Sequence, residues 1–584
     1  MRNFLKMFLA AILALIVFCL ISFFFFIGWV GALAAADKVK VGPKAVLVVD
    51  LSEPFPEKMQ SNPLADLGFE DQYDKPGIFD VVRMIRKASN DSAVKGIFIK
   101  ANTNSNGFAG SEEIRNAILE FKGTGKFVYA HGDVISQKAY YVSSVADKIY
   151  CNPKGALDWR GLAVQMLFLK GTLQKLEIEP QIFYAGKFKS ATEPFRETKM
   201  TEPNRVQTTE IVSDIYNHFL QNISAARKID TATLRRLADA NMVQFAADAV
   251  THKLVDGLKY DDEVKEEMRI RLKLDKDANI NFVPLEKYAK AVNFRTSGKD
   301  RIAIIYAQGD IVYGKGEDGQ IGSNTYAGLI RKARTDKNVK AIVLRVNSGG
   351  GSSLASENIW REMTLARKEK PVIVSFGDVA ASGGYYIACH ADSIFAQPNT
   401  ITGSIGVFAM IPNMQKFFDH KLGVTFDGVS TGPNAEELNV TKPLTAAQRT
   451  YIQSEVDTIY HDFKTRVADG RKLNMAFVDS IGQGRIWSGQ RAVDLQLVDR
   501  LGGVQDAVDC AARMANVKTF RVKEFPETKG IFERFFGGYQ QTYKTRAIKE
   551  ELGEENMKLY STIRRIKMMM NSTQARLPFD LIVE

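Results

Sequence analysis

The chain repeats itself. With a fixed shift of 245 and no gaps, residues 85–161 overlay residues 330–406 with 22 identities in 77 positions. IRKA at 85–88 falls on IRKA at 330–333, HGDV at 131–134 on FGDV at 376–379, and VADKIYCNP at 145–153 on HADSIFAQP at 390–398. Weaker echoes continue, with DIYNHF at 214–219 against TIYHDF at 458–463 and LVDGL at 254–258 against LVDRL at 497–501. Stacked repeat arrays use units of roughly 20–50 residues, so a period this long means duplication of a whole domain.

Each copy alternates short β-branched apolar runs with helical stretches. In the second, IAIIYA, KAIVLRV, PVIVSF and SIFAQ read as buried strands, and 353–367 and 378–390 as the helices between them. Such alternation argues stacked βαβ units around a largely parallel sheet, an α/β fold. The expected organisation is an N-terminal segment 1–36, a first repeat 40–290, a second repeat 300–520 and a C-terminal helical extension 521–584. The polar NFRTSGKD links the repeats. A charged helical run is expected from Lys544, and LPFDLIVE as a closing strand.

Met7 to Ala36 holds no charged residue, preceded by Arg2 and Lys6. About 20 apolar residues suffice to cross the hydrocarbon core, and positive flanks stay cytoplasmic. Ala34-Ala35-Ala36 resembles a signal-peptidase site, but cleaved signals carry apolar cores of only about 7–15 residues. The stretch therefore reads as one uncleaved transmembrane helix, exporting the rest of the chain. The net charge of +11 comes from basic residues scattered among acidic ones. That pattern suits a surface facing anionic lipid and argues against a nucleic-acid reading. Cysteines 19, 151, 389 and 510 form no C-x-x-C and no Cys/His cluster, so no metal site is expected.

Two glycine-rich elements of the second copy carry chemistry. After KAIVLRV comes Asn347-Ser348-Gly349-Gly350-Gly351-Ser352, where glycines can turn backbone N–H groups towards an oxyanion. A tight structural turn is the alternative; no phosphate-loop G-K-[ST] follows. The second element is Gly377-Asp378-Val379-Ala380-Ala381-Ser382-Gly383-Gly384, a strand running into a helix with one hydroxyl at the junction. Ser382 can be a nucleophile, with the N–H of Gly383 as oxyanion donor, or an N-cap. Its counterpart is Gln137, and a cap should work in both copies, which favours chemistry. No histidine sits in a triad context, and His390 lies too far along the expected helix. A Ser–Lys pair is the other solution, and Lys189 in GKFKSATEPF is its candidate base, with an exposed surface lysine as the alternative.

FGDVAASGGYY, RVNSGGGS, TGSIGVF at 402–408 and GKFKSATEPF together resemble the long, duplicated form of the signal peptide peptidase A family, over nearly the whole chain. The resemblance implies tandem Clp/crotonase-like repeats and a serine endopeptidase without metal or organic cofactor. By motif its nucleophile falls on Ser382, its general base on Lys189, and a serine orienting the lysine on Ser404. Backbone donors near Gly383, Gly350 and Gly351 would hold the oxyanion. Gly349 departs from the family's usual proline. Lys189 overlays Asn434 or Ala435, so each copy would supply one member of a site formed within one chain. The resemblance further implies apolar substrates such as cleaved signal peptides. A ring-like homo-oligomer, expected as a tetramer, would sit on the plasma (inner) membrane, its bulk outside the cytoplasm. The alternatives are a catalytically lapsed membrane-bound scaffold and a crotonase-like acyl-transfer enzyme.

Overall fold

The computed structural model describes residues 2–35, 40–60, 74–432, 435, 438–527 and 573–577; in the first segment, side chains are described only at 4, 6–22, 24 and 25. The first repeat contributes β1 (Ala45–Asp50), β2 (Val94–Lys100), β3 (Phe127–Ile135), β4 (Lys148–Leu157), β5 (Glu179–Ala185), β6 (Gly257–Leu258) and β7 (Phe282–Pro284). Six of these form a sheet of order β6-β4-β3-β2-β1-β7, with every pairing parallel.

The second repeat contributes β8 (Asp300–Gln308), β9 (Asp310–Val312), β10 (Gln320–Gly322), β11 (Val339–Ser348), β12 (Gly350–Ser352), β13 (Val372–Ala381), β14 (Ser393–Ala396), β15 (Ile401–Gly403), β16 (Val407–Asn413), β17 (Ile486–Ser488), β18 (Arg500–Leu501) and β19 (Phe520–Phe525). Strands β18, β14, β13, β11, β8 and β19 retrace the first sheet, again in parallel. Strands this apolar are stable only when both faces are covered, and helices supply the cover. The helices Glu202–Arg227 and Ala446–Arg471 are one such matching pair, each ending at a left-handed lysine, Lys228 and Lys472. A third sheet, of order β10-β9-β12-β20-β16-β5, draws on both repeats, with β20 spanning Gln574–Arg576.

Three expectations change. The segment 378–390 is not one helix: β13 continues through Ala381, paired to β15 at Val379, Ala380 and Ala381, and the helix is only Gly383–Tyr386. The alanines read as helical locally, but the sheet edge claims them. The boundary expected at 520/521 falls inside β19, which completes the second sheet against β8. The C-terminal strand ends at Arg576, immediately before the expected LPFDLIVE; of that segment only Leu577 is described, and the expected helical run from Lys544 lies outside the described residues.

The N-terminal backbone is helical over Arg2–Ala35, and its described side chains are exposed. Among the described residues no helix is long and apolar enough to cross a membrane. Burial pushes the Cys151 thiol up to about 11 and Cys389 up to about 12, so both behave as small core residues rather than nucleophiles.

Candidate active site

Ser382 sits where β13 gives way to the helix Gly383–Tyr386, with φ 55° and ψ −117°. A serine is rarely held at positive φ, and such a conformation costs about 1–3 kcal/mol, which the surrounding structure must offset. Two anchors hold it. The Ser382 N–H donates to the Gly403 carbonyl at 2.8 Å, and the Tyr386 N–H to the Ser382 carbonyl at 2.8 Å. Its side chain makes no capping bond, so the cap alternative fails.

Lys189 comes from the first repeat. After β5 the chain turns at Gly186, and Lys189 precedes a short 3-10 turn, Ser190–Thr192. The Phe188 N–H donates to the Gln483 carbonyl at 2.8 Å, seating this turn on the second repeat. Gly484 makes the approach possible: a Cβ there would lie 2.6 Å from the Lys189 nitrogen. Lys189 Nζ lies 2.9 Å from Ser382 Oγ, 3.1 Å from Ser404 Oγ and 3.4 Å from the Ser404 carbonyl. Lys189 is 1% exposed, and Ser382 and Ser404 are 0%. Burial pushes the Lys189 amine well below its usual range, because taking a cation out of water penalises the charged form. Among the described residues no carboxylate bonds to Nζ, so Lys189 is suited to be neutral and to accept a proton.

The glycine turn lies beside Ser382. A Cβ on Gly350, whose φ is 99°, would lie 2.7 Å from the Gly383 nitrogen. The Gly350 N–H donates to Ser348 Oγ at 3.1 Å, and Ser348 donates in turn to the Gly309 carbonyl at 2.6 Å. Gly350 therefore shapes the turn, with its own amide already engaged. Gly351 pairs with β9 at Ile311.

Sequence reading missed the contacts that hold the two repeats in register. Arg345, 1% exposed, donates to Glu57 and to Glu113, each at 2.7 Å, and to Ser375 Oγ at 2.8 Å. Burial alone would lower the Arg345 pKa, but Glu113 and Glu57 raise it. Asp378 accepts from the Ala109 and Gly110 amides at 2.8 and 3.3 Å, and burial raises its carboxyl. Gln207 donates to Ser190 Oγ at 3.0 Å and accepts from the Ile486 N–H at 3.2 Å, tying the lysine turn to β17. Asp378 and Arg345 lie within the motifs FGDVAASGGYY and RVNSGGGS, but neither motif names their partners; Glu57, Glu113 and Gln207 carry no local signal.

The same duplicated pattern is recognisable in other proteins. A model of peptidase family S49 matches residues 120–275 and matches again at 364–518. The chain belongs to peptidase family S49. Protease 4 of Salmonella typhi is 35% identical over 510 residues, covering 84% of this chain and 81% of that protein. Protease 4 of Haemophilus influenzae is 35% identical over 492 residues, covering 80% and 78%. The chloroplastic serine protease SPPA of Arabidopsis thaliana is 33% identical over 439 residues, covering 74% and 64%. The chain is thus a serine peptidase of the S49 family with two repeats, and Ser382 and Lys189 fall on opposite repeats.

Proposed function

We propose that this S49 peptidase is a membrane-anchored endopeptidase in which Ser382 and Lys189 form a Ser–Lys dyad. One observation carries the reading: a fully buried lysine amine 2.9 Å from the hydroxyl of a fully buried serine held at positive φ. Neutral Lys189 takes the Ser382 proton as Oγ attacks the peptide carbonyl, with Ser404 orienting the amine. The N–H of Gly383 faces the developing oxyanion, and the Gly350–Gly351 turn shapes its pocket. Lys189 then returns the proton to the leaving amine, and water hydrolyses the acyl-enzyme. No cofactor enters these steps.

The substrates are apolar peptides such as cleaved signal peptides, and each repeat takes the Clp/crotonase form. The uncharged stretch Met7–Ala36 spans the plasma (inner) membrane once, with Arg2 and Lys6 inside and the bulk of the chain on the periplasmic side. Supporting this, Met7 is 74% and Phe25 79% exposed on the N-terminal helix, an apolar surface that water does not favour. The working form is a ring-like homo-oligomer, a tetramer. Fluorophosphonate labelling followed by peptide mapping tests the chemistry. The adduct is expected on Ser382, absent in Ser382→Ala and much reduced in Lys189→Ala; an adduct on another serine would sink the dyad.

A further inference from the structure

Lys189 and Ser382 are 193 residues apart in the chain, so their 2.9 Å separation depends on what holds each backbone. Lys189 is the middle residue of a three-residue turn. Its φ is −73° and ψ 77°, and the Ser190 N–H donates back to the Phe188 carbonyl at 2.8 Å. This is an inverse γ-turn, closed by one short-range bond. One such bond gives a long side chain little direction, and a second support is needed.

That support is Gln207, in the second turn of the helix Glu202–Arg227 and 1% exposed. Its Nε2 faces the Phe188 carbonyl at 3.1 Å and the Ser190 hydroxyl at 3.0 Å, the two ends of the turn. Its Oε1 accepts from the Ile486 N–H at 3.2 Å. The partners decide which end is which, because that N–H only donates and the Phe188 carbonyl only accepts. Asn204 Oδ1 lies 3.2 Å from Nε2, and Asn204 donates in turn to buried Glu193 at 2.7 Å, so the glutamine is held from behind.

The far side of the amide leads to the serine. Ile486 of β17 stands opposite Gly403 of β15, and the Gly403 carbonyl accepts from the Ser382 N–H at 2.8 Å. Beside it the Ser404 N–H donates to the Arg485 carbonyl at 2.7 Å, and Ser404 is the other hydroxyl at the amine. A plain tie between repeats is the competing role for Gln207. The helix is already fastened elsewhere, however, by Arg491 to Asp214 at 2.6 and 2.9 Å and by Arg485 to Glu210 at 2.5 Å.

We propose that Gln207 is a positioning residue of the dyad, holding Lys189 against Ser382 by clamping the lysine turn to β17. The proposal rests on the dyad reading above. Misplacing reacting groups by about 1 Å can cost about 100-fold in rate, so the clamp matters to chemistry.

Steady-state kinetics of the full chain on a fluorogenic peptide, with the rate of fluorophosphonate labelling at Ser382, test this. Gln207→Met keeps the length of the side chain and forms none of these bonds. Folded by thermal melt, it is expected to lose about 10- to 100-fold in kcat and in labelling rate, with KM within about twofold of wild type. The rising limb of kcat/KM is expected to move to higher pH, because a lysine freed from its turn regains water, which favours the charged amine. A folded Gln207→Met with wild-type kcat and an unmoved limb would overturn the proposal, as would a change confined to KM. The isosteric Gln207→Glu keeps the readout should the methionine variant fail to fold. Its carboxyl can serve both Ile486 and Phe188 only while protonated, so its activity relative to wild type is expected to fall as pH rises. A ratio of one at every pH would overturn the clamp. Wild type that takes no fluorophosphonate at Ser382 would instead remove the dyad reading itself.

Discussion

Position 382 and its counterpart 137 stand at the same turn of the same fold, and the two turns have been put to opposite uses. In the first repeat Ser136 caps the helix Gln137–Ser143 from an ordinary φ of −70°, accepting from the Ala139 N–H at 3.3 Å. Gln137 folds back onto the chain, accepting from the Arg160 and Gly161 amides at 2.9 Å each and donating to the Gly161 carbonyl at 2.8 Å. Opposite the three glycines stand Asn104, Ser105 and Asn106, whose amide side chains close the loop: Asn104 donates to Ser111 Oγ at 2.9 Å, and Asn106 accepts from the Phe55 N–H at 2.8 Å. These side chains are spent on structure. In the second repeat the serine is strained and uncapped, the loop is bare glycine, and a lysine from the other repeat fills the space. Fold and chemistry are thus separable: the two parallel sheets need neither Ser382 nor the glycines, and the site needs both repeats.

The largest effect expected follows from that division. Ser382→Ala and Lys189→Ala should each lower kcat/KM on a fluorogenic peptide by about 10³-fold or more, the scale of losing a nucleophile or its base. Thermal melts should show both variants folded. Adding Gln137→Ser to Ser382→Ala should restore nothing, because the first repeat lacks a facing lysine and an open glycine turn. Recovered activity there would break the comparison.

Next in size is pH. In the proposed dyad Lys189 works as the neutral amine, and burial lowers its pKa well below 10.5, so kcat/KM should climb with pH through that lowered value. Lys189→Arg should be inactive with no such limb, since a guanidinium stays charged. Stability carries the same signature. Between the folded pKa of Lys189 and the unfolded value near 10.4 the unfolded chain binds the extra proton, so stability rises with pH across that window. Lys189→Met should flatten the slope in denaturant titrations at several pH values; an unchanged slope would place the amine in water.

A smaller effect belongs to Ser404. Its hydroxyl lies 3.1 Å from the amine, beside its own carbonyl at 3.4 Å. Ser404→Ala removes one hydrogen bond worth about 1 kcal/mol, so kcat should fall roughly fivefold. Losing an acceptor also disfavours the charged amine, which should move the alkaline limb to lower pH. A pure KM effect would argue that Ser404 serves substrate instead.

How much of this was legible in the sequence depends on the range of the interaction. The duplication, the buried strands and the serine between alanine and glycine are local patterns, and each could be read. Lys189 could be singled out only through family resemblance, since GKFKSATEPF alone looks like surface. The positive φ of Ser382 left no compositional mark, and the two alanines before it disguised a strand as a helix start. Arg345 meets Glu57 and Glu113 across 288 and 232 residues of chain, a separation over which no periodicity reports. The strand Gln574–Arg576 is too short and polar to announce itself, and pairing with the glycine turn on one side and Phe408 on the other makes it a strand.

The smallest expected effect on activity is also the sharpest test of what the first repeat has become. Gln137 is 8% exposed and its side chain is the partner of two amides and one carbonyl around residues 160–161. Gln137→Ala leaves those groups, on exposed Arg160 and half-buried Gly161, without that partner, and an orphaned group costs at most about 1–3 kcal/mol where it is shut off from water. Melting temperature and denaturant midpoint should both drop, with the unfolding free energy lower by up to that amount, while kcat/KM changes by less than about twofold, since Gln137 bonds to no group of the dyad. Gln137→Glu should destabilise as well, because a carboxylate accepts from both amides but cannot donate to the Gly161 carbonyl. If peptide hydrolysis instead collapses in a folded Gln137→Ala protein, the first repeat's turn is still coupled to the chemistry, and the division of labour between the repeats is incomplete.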